Sequence, residues 1–373
     1  MHLTELRTPA VLVDEMRVGR NIERMQLAVS SRGRRLRPHA KTHKSPELAR
    51  RQLARGAVGI CCAKIGEAEV FADAGIEDIR VPYPIHPVNA DRVLALLDRT
   101  HLSFIVDHLD VARGWSAALS ARGREADVLV KVDVGFHRCG IDPSQPGAAQ
   151  FVRTVAELPG LRLRGLLSHA GHAYGAASDS EASAIAAAEA RTLRSLAQQV
   201  AHLGVPIEEI SVGATPTARF SVDQEGITEL RPGNYVYFDR TQVALGSATW
   251  DDCALSVLAR VVSRPAADRV ILDCGSKTLT TDLARGGALP GYGAVFSATD
   301  ASMPDDSLTI ERLSEEHATV RVRSNECPLA PGDLVRVVPN HSCVISNLVD
   351  DVWLVREQTV CRRMEIAARG RIT

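Results

Sequence analysis

Aromatic residues are scarce in this chain of 373 residues: Phe, Trp and Tyr together make 4%. Stacking platforms for single-stranded nucleic acid depend on such side chains, so that function class is set aside. An excess of either charge is missing too. Lys and Arg number 44, Asp and Glu 45, and the net charge is −1. No overall field draws the chain to nucleic acid or to an anionic membrane, and neither is expected as a partner. No apolar run approaches the ~18 residues of a membrane-spanning helix. The eight cysteines include no Cys-x-x-Cys pair and are too few for a disulfide scaffold. The N-terminal stretch carries Glu5 and Arg7 and has no apolar signal core. A cytoplasmic protein with reduced thiols is therefore expected.

What remains is ordinary globular composition, with 45% hydrophobic and 24% charged residues. The length suits a barrel-sized domain plus a smaller one. Residues 10–240 alternate short apolar, β-branched runs with longer Ala/Leu/Arg-rich segments. The run from Ala10 to Asp14 reads as the first strand, capped by Asp14, and Val18 to Ser30 as the following helix. Further strands are expected over 36–41, 58–62, 78–81, 102–106, 127–132, 161–167 and 208–212, each followed by a helical segment through the long Ala-rich stretch 179–203. Near-continuous apolar strands indicate a sheet covered on both faces. About eight βα units favour a closed (β/α)8 barrel over a doubly wound sheet. No Gly-x-Gly-x-x-Gly follows the first strand, which weighs against a dinucleotide fold. Beyond about residue 245 the texture changes to short strands punctuated by Gly, Pro and Asp. A barrel over 1–245 and a mostly antiparallel β domain over 246–373 are expected.

Five segments carry candidate chemistry, and each sits where a barrel strand ends or where the β domain turns. His39-Ala40-Lys41-Thr42-His43-Lys44 offers an amine at the C-terminal rim, where barrel enzymes build their sites, although a solvated basic loop reads the same way. Lys131-Val132-Asp133, running to Arg138, puts costly charges at a strand end, suited to a ligand or to a structural ion pair. Ser168-His169-Ala170-Gly171-His172-Ala173-Tyr174 combines imidazoles and a phenol with small residues that leave room for a planar ligand. Gly213-Ala214-Thr215 and Arg231-Pro232-Gly233-Asn234 place Gly and polar groups on late strand ends, the usual phosphate position. In Pro339-Asn340-His341-Ser342-Cys343, a His and a Cys two apart on a strand would point the same way and share one metal. Thiolate with imidazole favours zinc over Mn2+ or Mg2+.

In this order the segments resemble the fold-type III pyridoxal-phosphate enzymes, the alanine racemase-like group, and within it the D-serine dehydratase / D-threonine aldolase family. The resemblance runs from Thr8-Pro9-Ala10 to His341-Ser342-Cys343. It implies an α/β architecture, a pyridoxal-phosphate-binding (β/α)8 barrel followed by a mostly antiparallel β domain. It implies pyridoxal 5'-phosphate covalently held by Lys41, with Lys44 the next candidate. Arg138 would meet the cofactor's phenolic oxygen and His169 its ring face. Gly213, Thr215, Gly233 and Asn234 would hold the phosphate, and Arg231 would stand beside the pyridine nitrogen. His341 and Cys343 would bind the divalent metal, zinc by preference and otherwise Mn2+ or Mg2+. Tyr174 would contact substrate or cofactor, and a homodimer is implied.

The activity implied is that of a lyase acting on D-3-hydroxy amino acids. His-x-Cys, the segment Ser211 to Thr217 and Tyr83-Pro84-Ile85 are similar to the dehydratase type, which eliminates water to give a 2-oxo acid and ammonia. Retro-aldol cleavage to glycine and an aldehyde is the alternative, and racemisation a weaker one. Gly291-Tyr292-Gly293 resembles the racemase tyrosine loop only faintly, so no base is assigned to Tyr292. A cofactor-homeostasis protein made of the barrel alone is the non-enzyme reading, and the β domain argues against it.

Overall fold

A computed structural model describes residues 1–285, 289–323 and 327–373. Eight parallel strands follow one another around a barrel: Arg35–Leu36, Ile60–Cys61, Asp78–Pro84, His101–Val106, Ala126–Lys131, Leu161–Leu167, Glu209–Val212 and Glu229–Leu230. The last pairs with the first, Arg35 opposite Glu229. The remaining gap is closed by a bridge between His39 and Cys61. Helices such as Pro46–Ala54, Ile65–Asp73 and Asp179–His202 pack around the strands over a continuous apolar core.

The barrel interior is largely ionic. Ile105, Leu129 and Leu167 form a small apolar layer. Elsewhere Arg80 Nη1 reaches Glu229 Oε1 at 2.6 Å and also pairs with Glu209, while Arg37 Nε reaches Glu229 Oε2 at 2.9 Å. Burial works against a charged Glu229, yet Arg80 and Arg37 overcome it and hold the carboxyl below its usual range. Ser211 Oγ donates to Glu229 at 2.6 Å and accepts from Arg231 at 2.5 Å, so this network continues upward to the rim.

At the opposite end His101 Nε2 meets Asp127 at 2.8 Å and Nδ1 lies 3.4 Å from Asp78. Asp127, then Asp78, push the His101 pKa up to about 9. A raised folded-state pKa stabilises fully below the unfolded value near 6.5, and the contribution fades as pH rises through about 9. The thermal midpoint of wild type should therefore exceed that of His101→Gln at pH 6 and converge on it by pH 9.5. A gap that widens with pH would refute this assignment.

The second sheet has nine strands, mostly antiparallel. The short strands expected beyond about residue 245 include Leu255–Ala266, Arg269–Leu272, Ala318–Val322, Leu334–Val338 and Asp351–Arg356, with Ala294–Phe296 and Thr359–Glu365 beside them. One expectation is corrected. Ala10–Asp14 is not a barrel strand but a central strand of this second sheet, antiparallel to Leu255–Ala266 and parallel to Asp351–Arg356. Its Val11 and Val13 enter one core, its Ala10 and Leu12 another. A strand buried on both faces has the same apolar run in either sheet, so composition did not distinguish them. Ala10–Asp14 thus belongs to the second sheet, and the last barrel strand is Glu229–Leu230. All eight cysteines are free thiols. No helix among the described residues is long and apolar enough to cross a membrane.

Candidate active site

The C-terminal strand ends open into a cavity of about 230 Å3 at the junction with the second sheet. After Leu36 the chain leaves the barrel through His39, whose N–H donates to the Pro232 carbonyl at 3.0 Å. Ala40–Thr42 then forms a single tight turn rather than the expected strand, and Lys41 projects from it into the cavity. The neighbouring Gly233 has no room for a side chain: a Cβ there would sit 2.9 Å from the His39 carbonyl oxygen and 3.0 Å from Thr42 Oγ1. Lys41 makes no salt bridge among the described residues. Lys44 lies outside the cavity, buried, with its amine 2.5 Å from Glu67. It is therefore corrected from second amine candidate to structural ion pair. Tyr83 is similarly diverted, its ring under Lys64 at 3.8 Å, and Tyr292 packs against the second core.

Lys131 is the last residue of its strand and faces the same cavity. Burial, then the Arg231 charge, lower its pKa to about 7. Asp133 next to it is a loop organiser: Oδ1 accepts from the N–H groups of Gly135, Phe136 and His137 at 3.0–3.1 Å. This turn delivers Arg138 over the Phe136 ring, 5.0 Å from its centroid, and into the cavity. His169 is fixed by donating from Nδ1 to the Gly213 carbonyl at 2.6 Å, which leaves Nε2 as its lone-pair nitrogen. Burial, with Lys41 and Lys131 nearby, keeps it neutral. Tyr174 lies on the short turn Gly171–Gly175, and burial raises its phenol pKa.

One wall carries unspent donors. Thr215 Oγ1 is buried without a partner. The backbone N–H groups of Gly213, Ala214, Gly233 and Asn234 make no hydrogen bond among the described residues. Adjacent strand ends thus present an oxyanion-sized set of donors, below which Arg231 points from the ionic network. The Asn234 side chain has another use: Nδ2 donates to Asp239 at 2.6 Å and Ser342 at 3.1 Å. Its backbone, not its amide, is what remains for a ligand.

His341 and Cys343 line the facing wall. The expectation that they share a strand is corrected: the strand ends at Val338, and Cys343 lies in the first turn of the short helix Ser342–Ile345. The chain turn, not strand alternation, brings the two side chains together. His341 Nδ1 donates to Asp282 Oδ2 at 3.0 Å, and Thr42 Oγ1 lies 3.1 Å from Cys343 Sγ. Burial opposes charge at both, but their mutual attraction wins: the imidazole pKa rises to about 11 and the thiol's falls. No group of three His, Cys, Asp or Glu side chains suited to one metal occurs among the described residues. The soft thiolate and oriented imidazole fit a divalent ion with open positions. Sequence reasoning missed Asp239 and Asp282, whose contacts with Ser342 and His341 span 103 and 59 positions of the chain.

Residues 13–241 match the model of the alanine racemase N-terminal domain and residues 254–355 that of a serine dehydratase domain. The chain is 34% identical to a D-threonine aldolase of an Arthrobacter species, covering 99% of this chain and 94% of that protein. It is also 34% identical to a D-threo-3-hydroxyaspartate dehydratase of Delftia sp. strain HT23, over 91% and 92%. A D-serine dehydratase of Dictyostelium discoideum is 26% identical over 95% and 94%. The solved Delftia dehydratase superposes with a TM-score of 0.91 at 31% identity, covering 98% of each chain. A variant of it, described as metal-free, superposes equally well at 30% identity, again covering 98% of each.

Proposed function

The chain belongs to the alanine racemase N-terminal domain family, in the group that carries a serine dehydratase domain and includes lyases of D-amino acids. On that premise we propose that it is a pyridoxal-phosphate-dependent lyase that dehydrates D-3-hydroxy amino acids to a 2-oxo acid and ammonia. The observation that carries this reading is one cavity with the Lys41 amine, the unspent donor wall and the His341–Cys343 pair around it. Bound cofactor would supply the electron sink for a Cα carbanion, and a divalent metal, zinc by its thiolate ligand, would supply Lewis acidity at the β-hydroxyl.

The chain's own residues would do the rest. Lys41 Nζ would hold the cofactor and, as a free amine, take the Cα proton. The backbone N–H groups of Gly213, Ala214, Gly233 and Asn234, with Thr215 Oγ1, would donate to its phosphate. Arg138 and Arg231 add positive charge on the barrel side, and neutral His169 offers its ring face without a competing cation. Dehydration needs its base at Cα, where Lys41 can serve. Aldol cleavage needs a base at the β-hydroxyl, and the carboxylates at that end are engaged, Asp239 by Asn234 and Ser342, Asp282 by His341. That difference favours dehydration over the aldolase reading, which similarity to the Arthrobacter D-threonine aldolase keeps as the second. A homodimer and a cytoplasmic location belong to the same proposal.

Incubating the purified protein with D-serine, D-threonine and D-threo-3-hydroxyaspartate separates the outcomes. A 2-oxo acid with stoichiometric ammonia is expected. Glycine plus an aldehyde would replace dehydration by aldol cleavage, and an L-amino acid would replace both by racemisation.

A further inference from the structure

The sequence does not say which substituent the substrate carries beyond its hydroxyl. The cavity has a cation for which the reading above has no use. Arg285 lines it beside Leu283, on the side of His341 and Tyr174, and comes from the β domain rather than from the barrel. Its guanidinium makes no hydrogen bond and no salt bridge among the described residues. Its charge is felt at Tyr174, where it opposes the rise that burial causes, and at Asp282, whose pKa it helps to lower.

The backbone around it is anchored. The Arg285 N–H donates to Thr241 Oγ1 at 3.3 Å, and that hydroxyl donates to the Asn340 carbonyl at 2.7 Å. Buried Asn340 Nδ2 in turn donates to the carbonyls of Asp282 at 3.0 Å and Gly291 at 2.9 Å. The residue next to the metal-pair histidine therefore fastens the segment that carries Arg285.

The cavity's charges divide by position. Lys131, Arg138 and Arg231 belong to the barrel side, with the donor wall for phosphate. Lys41 is committed to the Cα centre. Arg285 is the exposed guanidinium at the end where a β-hydroxyl and its neighbours would lie, beside the His341–Asp282 pair and the engaged Asp239 carboxylate. An unpaired guanidinium there matches a carboxylate, with which it forms charge-assisted and often bidentate bonds. A methyl or hydrogen substituent would offer it nothing beyond the α-carboxylate that every substrate carries, and equal losses for acidic and neutral substrates would assign Arg285 to that group instead.

Resting on the lyase reading, we infer that Arg285 forms a subsite for an anionic β-substituent, so that the preferred substrates are acidic D-3-hydroxy amino acids of the 3-hydroxyaspartate class. The test uses the holoenzyme loaded with pyridoxal phosphate and zinc. Wild type should favour D-threo-3-hydroxyaspartate over D-serine by at least about tenfold in kcat/KM. Arg285→Met should lower kcat/KM for the acidic substrate by roughly 10- to 100-fold, mainly through KM, and for D-serine by less than about threefold. Arg285→Lys should recover part of the loss. Calorimetric titration with D-aspartate, which has no hydroxyl to lose, gives a second readout. It should bind more tightly than D-alanine, and only its Kd should rise in Arg285→Met. Equal losses for both hydroxy amino acids, or D-aspartate binding no better than D-alanine, would overturn the subsite. If wild type consumed none of the hydroxy amino acids, the lyase reading would fail, and the D-aspartate titration would still decide Arg285.

Discussion

Lys41→Ala should remove the visible absorption of protein-bound pyridoxal phosphate and lower turnover by at least roughly 10^4-fold. The expectation follows from where amines lie. Three lysines stand in or near this end of the barrel, and the structure separates their roles. Lys44 is buried, 2.5 Å from Glu67, with a second bond to the Ala368 carbonyl at 3.3 Å. Moving it into the cavity would strand Glu67, at a cost of about 3–5 kcal/mol. Lys131 faces the cavity, with a pKa lowered to about 7 by burial and by Arg231. Lys41 alone projects from a tight turn toward both the donor wall and Cys343, beside Thr42. Its side chain is exposed, so the alanine variant should keep its thermal midpoint, and loss of absorption will not be loss of fold. If the absorption survived, Lys131→Ala would be the next variant to examine, not Lys44→Ala.

The barrel rhythm was legible because parallel strands under helices are nearly continuous apolar runs, and these were read within a few residues from 78–84 through 209–212. Two-residue strands such as Glu229–Leu230 are too short to have a period. Ala10–Asp14 was assigned to the wrong sheet because its environment, buried on both faces, exists in both. Arg80, Glu209 and Glu229 sit inside the barrel, and only their three-dimensional neighbours explain why charges interrupt apolar strands.

The site was legible to the extent that it uses local patterns. The polar residues that follow strand ends reach the cavity, as Lys41, Arg138, His169 and Thr215 do, with Gly233 beside them. Contacts that orient these residues were not legible. Asp282 reaches His341 across 59 positions, and Asn340 holds Asp282 and Gly291. Nor was the second task of Asn234 legible: its side chain pins barrel to β domain through Asp239 and Ser342. Sequence neighbours give the reactive groups, while their orientation is set by residues that the fold brings from a distance.

Removing the metal pair should separate chemistry from cofactor binding. His341→Ala and Cys343→Ala, or exhaustive chelation of wild type, should lower turnover by roughly 10^2- to 10^4-fold while the cofactor absorption stays, since a Lewis acid is worth several kcal/mol at a leaving oxygen and neither side chain belongs to the donor wall. Asp282→Ala leaves both ligands in place and frees only the imidazole that Nδ1 anchors, so a smaller loss of about 10- to 100-fold in activity or metal affinity is expected. Cys343→Asp exchanges a soft donor for a hard one. It should shift the activating ion from Zn2+ toward Mn2+, with turnover restored by manganese in the variant but not in the wild type. Full activity after chelation, or an unchanged metal preference in Cys343→Asp, would remove His341 and Cys343 from the reaction and leave the Lys41 half of the site to stand by itself.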